Sequence, residues 1–173
     1  NTTGNPTLID NIGYTTNGQG VGEYSSMLYG LSENTKYYVC AYAINEKGTS
    51  YGQVLEFTSL EIGLPVITTT DVTDITLTSA VSGGNITDDG NGTIIARGVC
   101  WSISNNPTLQ NNDGYTLDGT GVGTYSSNLT GLTNNTEYFV RAYATNNVGT
   151  AYGNTITFMT LAAPPTIPTV TTE

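Results

Sequence analysis

From Tyr138 onward the chain alternates. Tyr138, Val140, Ala142 and Ala144 share one parity, and Phe139, Arg141, Tyr143 and Thr145 share the other. A period of two held over that length predicts a strand with one buried face. Ahead of it Gly131, Leu132, Thr133, Asn134, Asn135 and Thr136 gather turn formers into a tight corner. A tyrosine placed just after such a corner can send its hydroxyl back to the backbone upstream, so Tyr138 is expected to anchor the corner and Leu132 to pack at it.

The stretch 65–160 predicts about seven strands in total. PVITTT (65–70), ITLTSAV (75–81), TIIARGVCWS (93–102), GTYSSNL (123–129), 136–145 and 152–160 are rich in β-branched and aromatic residues. Gly83-Gly84 and Asp88-Asp89-Gly90-Asn91-Gly92 are expected as turns, and 105–121 as a long polar loop with room for a short strand. Strong helix formers are sparse, so almost no helix is expected. The fold class that follows is all-β, a small β-sandwich.

The chain also repeats itself. NPTL at 5–8 returns at 106–109, and GVGEYSS from Gly20 returns as GVGTYSS from Gly121. Tyr37 matches Tyr138 and Gly52 matches Gly153 at one constant offset, and from Asn5 to Leu60 about half the positions are identical, the mark of tandem copies. Residues 1–60 are therefore expected to be the C-terminal half of a module and 65–160 a complete one. Residues 161–173 would hold a Pro-rich linker, with PTVTTE (168–173) matching PVITTT as the first strand of a following copy. A half sandwich bares its apolar face and strand edges. The expectation is a window on a longer array; the alternative is completion by strands of another chain.

The pattern L-x-G-L-x-x-N-T-x-Y-x-V-x-A-x-A-x-N-x-x-G resembles the corner and following strand of fibronectin type III domains. ARGVCWS, NPT, GVGTYSS and RAYATNNVGTAYG resemble the fibronectin type III-like repeats of large surface and secreted proteins of Bacteroidetes-type bacteria. The resemblance covers nearly the whole chain. It implies tandem immunoglobulin-like sandwiches at an extracellular or cell-surface location, and no particular biochemical activity.

Charge narrows the partners. The net charge is -10, with four basic residues, Lys36, Lys47, Arg97 and Arg141. A phosphate backbone needs clustered Lys and Arg, so nucleic acid is excluded as a partner. No apolar run reaches the length of a membrane span. Enzyme chemistry finds no footing: there is no histidine for a general base or a Ser-His-Asp triad, and no Cys/His cluster for zinc.

Four groups of residues remain as candidates. Asp88, Asp89, Asn91, Asp113 and Asp118 place oxygen ligands in loops, which makes them weak calcium candidates, although their spacing is not that of an EF-hand and Asx turns account for them equally. No other cofactor is expected. Cys40 and Cys100 fall on outward positions of their strands, in different modules; their pairing stays open between a bridge to a residue outside this sequence and two free thiols. Tyr42 and Tyr143 also fall on the outward face and are candidate ligand-facing residues, for a glycan or a surface protein. Tyr37 and Tyr138 at the corners, Leu31 and Leu132 at the turns, and Trp101, the single tryptophan, in the core are expected to be structural.

The leading functional expectation is a structural repeat of a long extracellular protein, a stalk, adhesin or filament, whose modules act as stiff spacers and contact neighbouring modules. The alternatives are a glycan- or protein-binding module accessory to a secreted enzyme, and a filament subunit that self-assembles by strand exchange.

Overall fold

The structure is a computed structural model and describes residues 1–165. The expected first strand of a further copy, 168–173, lies outside the described residues. The chain divides into two units, Asn1–Ile62 and Gly63–Glu173. Among the described residues no helix forms, so none is long and apolar enough to cross a membrane.

The first unit contains β1 (Lys36–Val39), β2 (Tyr42–Asn45), β3 (Gly48–Tyr51) and β4 (Leu55–Thr58). β1 pairs antiparallel with β4, and β2 with β3. The second unit contains β5 (Val66–Thr73), β6 (Ser79–Asp88), β7 (Ala96–Ser102), β8 (Gly114–Tyr115), β9 (Gly123–Thr130), β10 (Glu137–Thr145), β11 (Thr150–Tyr152) and β12 (Ile156–Met159). One sheet has the order β5-β6-β9. The other has the order β11-β10-β7-β8, with β12 also on β10.

Period-two alternation decides which residues meet between these sheets. Ile67, Ala80, Ile86 and Leu129 from one sheet pack with Val99, Trp101, Tyr138, Val140, Ala142, Ala144 and Phe158 from the other in a single buried cluster. Two sheets closed face to face over such a core make the second unit an all-β sandwich. Thr69 stitches the sheets together: its hydroxyl accepts from Ala142 N at 3.0 Å and donates to Asn154 O at 2.5 Å.

One sequence expectation is corrected in this unit. Gly83-Gly84 is not a turn but the middle of β6, in register with Ser126 and Tyr125 of β9. The glycines are there because β6 runs close to β9 and to the opposite sheet. A Cβ on Gly83 would meet Tyr125 O at 2.1 Å, and one on Gly84 would meet the Tyr125 hydroxyl at 2.6 Å and Ala142 Cβ at 2.8 Å. The loop 105–121 holds a short strand, β8, as its sequence left room for. Asp113 N, Thr116 N and Asp118 N donate to Trp101 O, Val99 O and Arg97 O at 2.8, 2.8 and 2.7 Å, so 113–118 runs as an edge along β7. Gly98 makes room for it, since a Cβ there would meet Thr116 O at 2.2 Å.

The first unit repeats the residues but, outside the corner at Tyr37, not the burial. Residues 22–29 match β9 by the constant offset, yet they form no strand. Tyr24 is 55% exposed where Tyr125 is 8%, and Leu28 is 39% exposed where Leu129 is 0%. The physical reason is the ladder. β9 is held along its length by β6, from Ser79↔Thr130 to Ile86↔Gly123, and the described residues of the first unit contain no strand in that role. Leu31, expected to be structural, is 36% exposed against 4% for Leu132 for the same reason.

Candidate functional site

Both corner tyrosines are buried and close on the backbone. Tyr138 Oη accepts from Thr133 N at 3.1 Å, and Tyr37 Oη accepts from Ser32 N at 2.8 Å. Each ring stacks on a phenylalanine of the pairing strand, Phe158 at 5.9 Å and Phe57 at 5.7 Å between centroids. Trp101 sits in the core opposite Val140 in register. Leu132 is buried with them.

The outward face of the β7–β10 sheet carries the candidate ligand-facing residues, and the structure corrects that reading. Tyr143 points away from the core by parity with Ala142 and Ala144, but it is fully buried. Its hydroxyl donates to Thr116 O at 2.5 Å, under the edge segment that Gly98 admits. A second cover is the repeated NPTL segment. Pro107 is fully buried, Leu109 N donates to Tyr152 Oη at 3.0 Å, and Thr155 Oγ1 donates to Asn106 Oδ1 at 2.8 Å. The segment 106–109 is thus a strap pinned across the sheet by Tyr152. The first unit builds the same strap: Leu8 N donates to Tyr51 Oη at 3.1 Å, and the Cys40 thiol lies 3.2 Å from Pro6 O. Tyr42, half-buried, donates to Thr15 O at 2.8 Å as its counterpart Tyr143 does to Thr116 O. The outer tyrosines are clamps for the chain itself. Tyr51 and Tyr152 were missed by sequence reasoning, although the recurrence of NPTL and Tyr-Gly at one offset carried the signal.

Burial holds the Tyr143 phenol at about 12, with Asp118 adding to the rise. Tyr125, whose hydroxyl donates to Gly98 O at 2.7 Å, is likewise pushed up, first by burial and then by Asp118. A raised folded value favours the neutral phenol in the folded state. Its contribution to stability is complete below the ordinary phenol value of 10.0 and is lost as pH rises through about 12. Thermal melts of the chain are expected to fall steeply between pH 10 and 12, and Tyr143→Phe to flatten that fall. An unchanged slope in the variant would refute the assignment.

The five calcium candidates are not brought together. Asp88 Oδ1 accepts from Gly90 N at 2.7 Å and Asp89 Oδ1 from Asn91 N at 2.9 Å, two successive Asx turns. Asn91 takes the left-handed conformation that ends them. Asp113 Oδ2 accepts from Ser102 Oγ at 2.9 Å and Ile103 N at 2.7 Å, tying the end of β7 to the edge segment. Asp118 Oδ2 accepts from Thr116 Oγ1 at 2.6 Å and from Ser127 Oγ. Among the described residues no group of three or more His, Cys, Asp or Glu side chains could hold a metal ion.

The Asp118 cluster has an amide version in the first unit. There Asn17 Oδ1 accepts from Thr15 Oγ1 and Ser26 Oγ, both at 2.9 Å. What the position needs is an oxygen acceptor, not a charge. Asp118→Asn is therefore expected to change stability by less than about 0.5 kcal/mol, as a neutral substitution does. Asp118→Ala leaves the buried Ser127 hydroxyl without its acceptor and is expected to cost about 1–3 kcal/mol. Chemical denaturation followed by Trp101 fluorescence reads both.

The cysteines are free thiols. Cys100 was expected to face outward; it does so by parity, but the cover described above buries it completely, opposite Arg141 in register. Burial pushes its thiol up to about 11, against the opposing pull of the Arg141 guanidinium. Cys40 is half-buried.

No family model matches the chain, and no curated protein does. Solved structures do. The fourth fibronectin type III domain of a human protein is 21% identical, with a TM-score of 0.45, over 66% of this chain and 94% of that one. The FN1–FN3 domains of chicken CNTN1 are 17% identical, with a TM-score of 0.44, over 76% of this chain and 44% of that one. The sensor domain of the anti-sigma factor RsgI4 of Pseudobacteroides cellulosolvens is 18% identical, with a TM-score of 0.42, over 60% of this chain and all of that one. The fold class itself rests on the strand order and core described above.

Proposed function

We propose that this chain is a structural segment of an extracellular surface protein, a non-catalytic sandwich that acts as a spacer. One observation carries the reading. The polar side chains that would otherwise reach a ligand close on the chain itself: Tyr143 on Thr116, Tyr152 on Leu109, Asp113 on Ser102 and Ile103, and Asp118 on Thr116 and Ser127. Among the described residues no buried side-chain nitrogen or oxygen lacks a hydrogen-bond partner. A surface spent on internal bonds stiffens the bead and leaves little chemistry for a substrate. Pro164 and Pro165 restrict the backbone after the last strand, and that segment is read as a joint between successive beads.

A spacer bears load, so single-molecule stretching is the test. The second unit is expected to resist and then release in one rupture, with a length gain of roughly 30 nm for a chain of that size drawn out at about 3.6 Å per residue. Extension with no rupture peak would sink the spacer reading. So would specific retention of the chain on a glycan array.

A further inference from the structure

Gly63 is the first residue of the second unit, and both of its backbone polar groups are taken. Its amide donates to Gly90 O at 2.8 Å, in the turn after β6. Its carbonyl accepts from Asn146 Nδ2 at 2.7 Å, 83 residues away in sequence, in the hairpin between β10 and β11. The same Nδ2 donates to Asp89 O at 3.0 Å, so one side-chain amide ties the entering chain to both loops. Asn146 is 2% exposed. Its other end is held as well: Oδ1 accepts from Val148 N at 2.9 Å and from Gly149 N at 3.2 Å. Close approach completes the seat. Gly90 is left-handed at φ 68°, and a Cβ on it would strike Gly63 O. A Cβ on Gly149 would meet Leu64 Cδ2 at 3.2 Å. The seat stands just ahead of β5, which is the end strand of its sheet. The ladder of β5 with β6 shifts register between Val66 and Ile67 and again between Thr70 and Thr73. An end strand drawn by its terminus frays bond by bond, because local opening begins where few contacts hold the chain.

We infer that Asn146 is a latch on the entering chain. Tension arriving at Gly63 passes through the Asn146 amide into the β6–β7 turn and the β10–β11 hairpin, and β5 is spared from peeling. The latch itself is a matter of geometry; its role under load rests on the spacer reading. The two ends of the side chain divide the work. Asn45, the counterpart of Asn146 in the first unit, makes the same kind of bond within its own hairpin, with Oδ1 accepting from Lys47 N at 2.9 Å. Oδ1 therefore shapes the hairpin, and Nδ2 is the latch. Asn146→Asp separates the two. It keeps an acceptor for Val148 N and Gly149 N, and it puts an oxygen against Gly63 O and Asp89 O where the donor stood.

The test joins two measurements on the full chain: backbone relaxation at Gly63 and Leu64, and single-molecule stretching at constant force. In the parent, Gly63 should be as rigid as a strand, with an order parameter of about 0.85. Near neutral pH, Asn146→Asp is expected to drop that value below about 0.6 and to shorten the lifetime of the second unit under load by more than about tenfold. Acid then reads the donor itself. A carboxyl pressed against two carbonyl oxygens stays neutral to a higher pH than usual, and once protonated it donates as the amide does. Acidification should therefore bring both readings of Asn146→Asp back toward those of the parent at the same pH. Asn147→Asp places the same charge on the exposed neighbour and should match the parent throughout. Gly63→Pro removes the amide bonded to Gly90 O without touching Asn146 and should also shorten the lifetime. Parent-like readings in Asn146→Asp at neutral pH would overturn the latch. So would a loss that acid does not restore, or one that Asn147→Asp shares. If Asn146→Asp does not fold, a parent-like lifetime in Gly63→Pro overturns it. A parent chain that extends with no rupture peak would sink the spacer reading instead, and the relaxation readings would still decide the latch.

Discussion

Leu129→Ala is expected to destabilise the second unit by about 2–5 kcal/mol, the cost of removing a fully buried leucine and leaving a cavity. Leu28→Ala, the same residue in the same local sequence, is expected to change the first unit by less than about 1 kcal/mol, because its side chain is already half in water and leaves no cavity. Leu129 stands beside Ala80 of the neighbouring strand β6 and lies in the buried cluster shared with the opposite sheet. Leu28 has no such neighbour strand among the described residues of its unit. Trp101 fluorescence follows the second unit specifically, since the first unit has no tryptophan. Residue-resolved exchange follows the first. Equal losses at the two positions would mean that the two inner faces are covered alike.

The second large effect is at Tyr143. Tyr143→Ala is expected to cost about 3–5 kcal/mol, as truncation of a fully buried aromatic does. Tyr143→Phe removes the bond to Thr116 O and is expected to cost about 0.5–1.5 kcal/mol. Tyr115, more than half exposed on the edge strand β8, is the control, and Tyr115→Ala should stay within about 0.5 kcal/mol of the parent. A residue held outward for a ligand would behave like Tyr115. Denaturation with the same fluorescence readout ranks the three, and a stable Tyr143→Ala protein would return that side chain to the list of ligand contacts.

Strand identity was legible in the sequence wherever alternation ran long. The parity of Tyr138, Val140, Ala142 and Ala144 read out the buried face of β10 directly, because one side of that strand sees the other sheet and nothing else. The glycine pair in β6 misled because Gly83-Gly84 has the composition of a turn, while its cause is a close approach between chains that no local pattern records. Tyr143 and Cys100 misled in another way. Parity correctly placed them on the outer face, and outer was taken to mean exposed. Whether an outer face is wet depends on what folds across it, here the strap 106–109 and the edge segment 113–118, both polar enough to read as loop. The bareness of Tyr24 and Leu28 was not legible from their own residues at all, which match those of β9. It follows from the ladder that β9 has and 22–29 lacks.

Residue-resolved amide exchange on the intact chain tests that last contrast most directly. Across 123–130 the amides bonded to β6 are expected to exchange slowly, near the limit set by global unfolding of the second unit, and across 22–29 at close to free-chain rates. Equal protection in the two segments would contradict the account: residues 22–29 would then already be paired, and the inner face of the first unit would not be open.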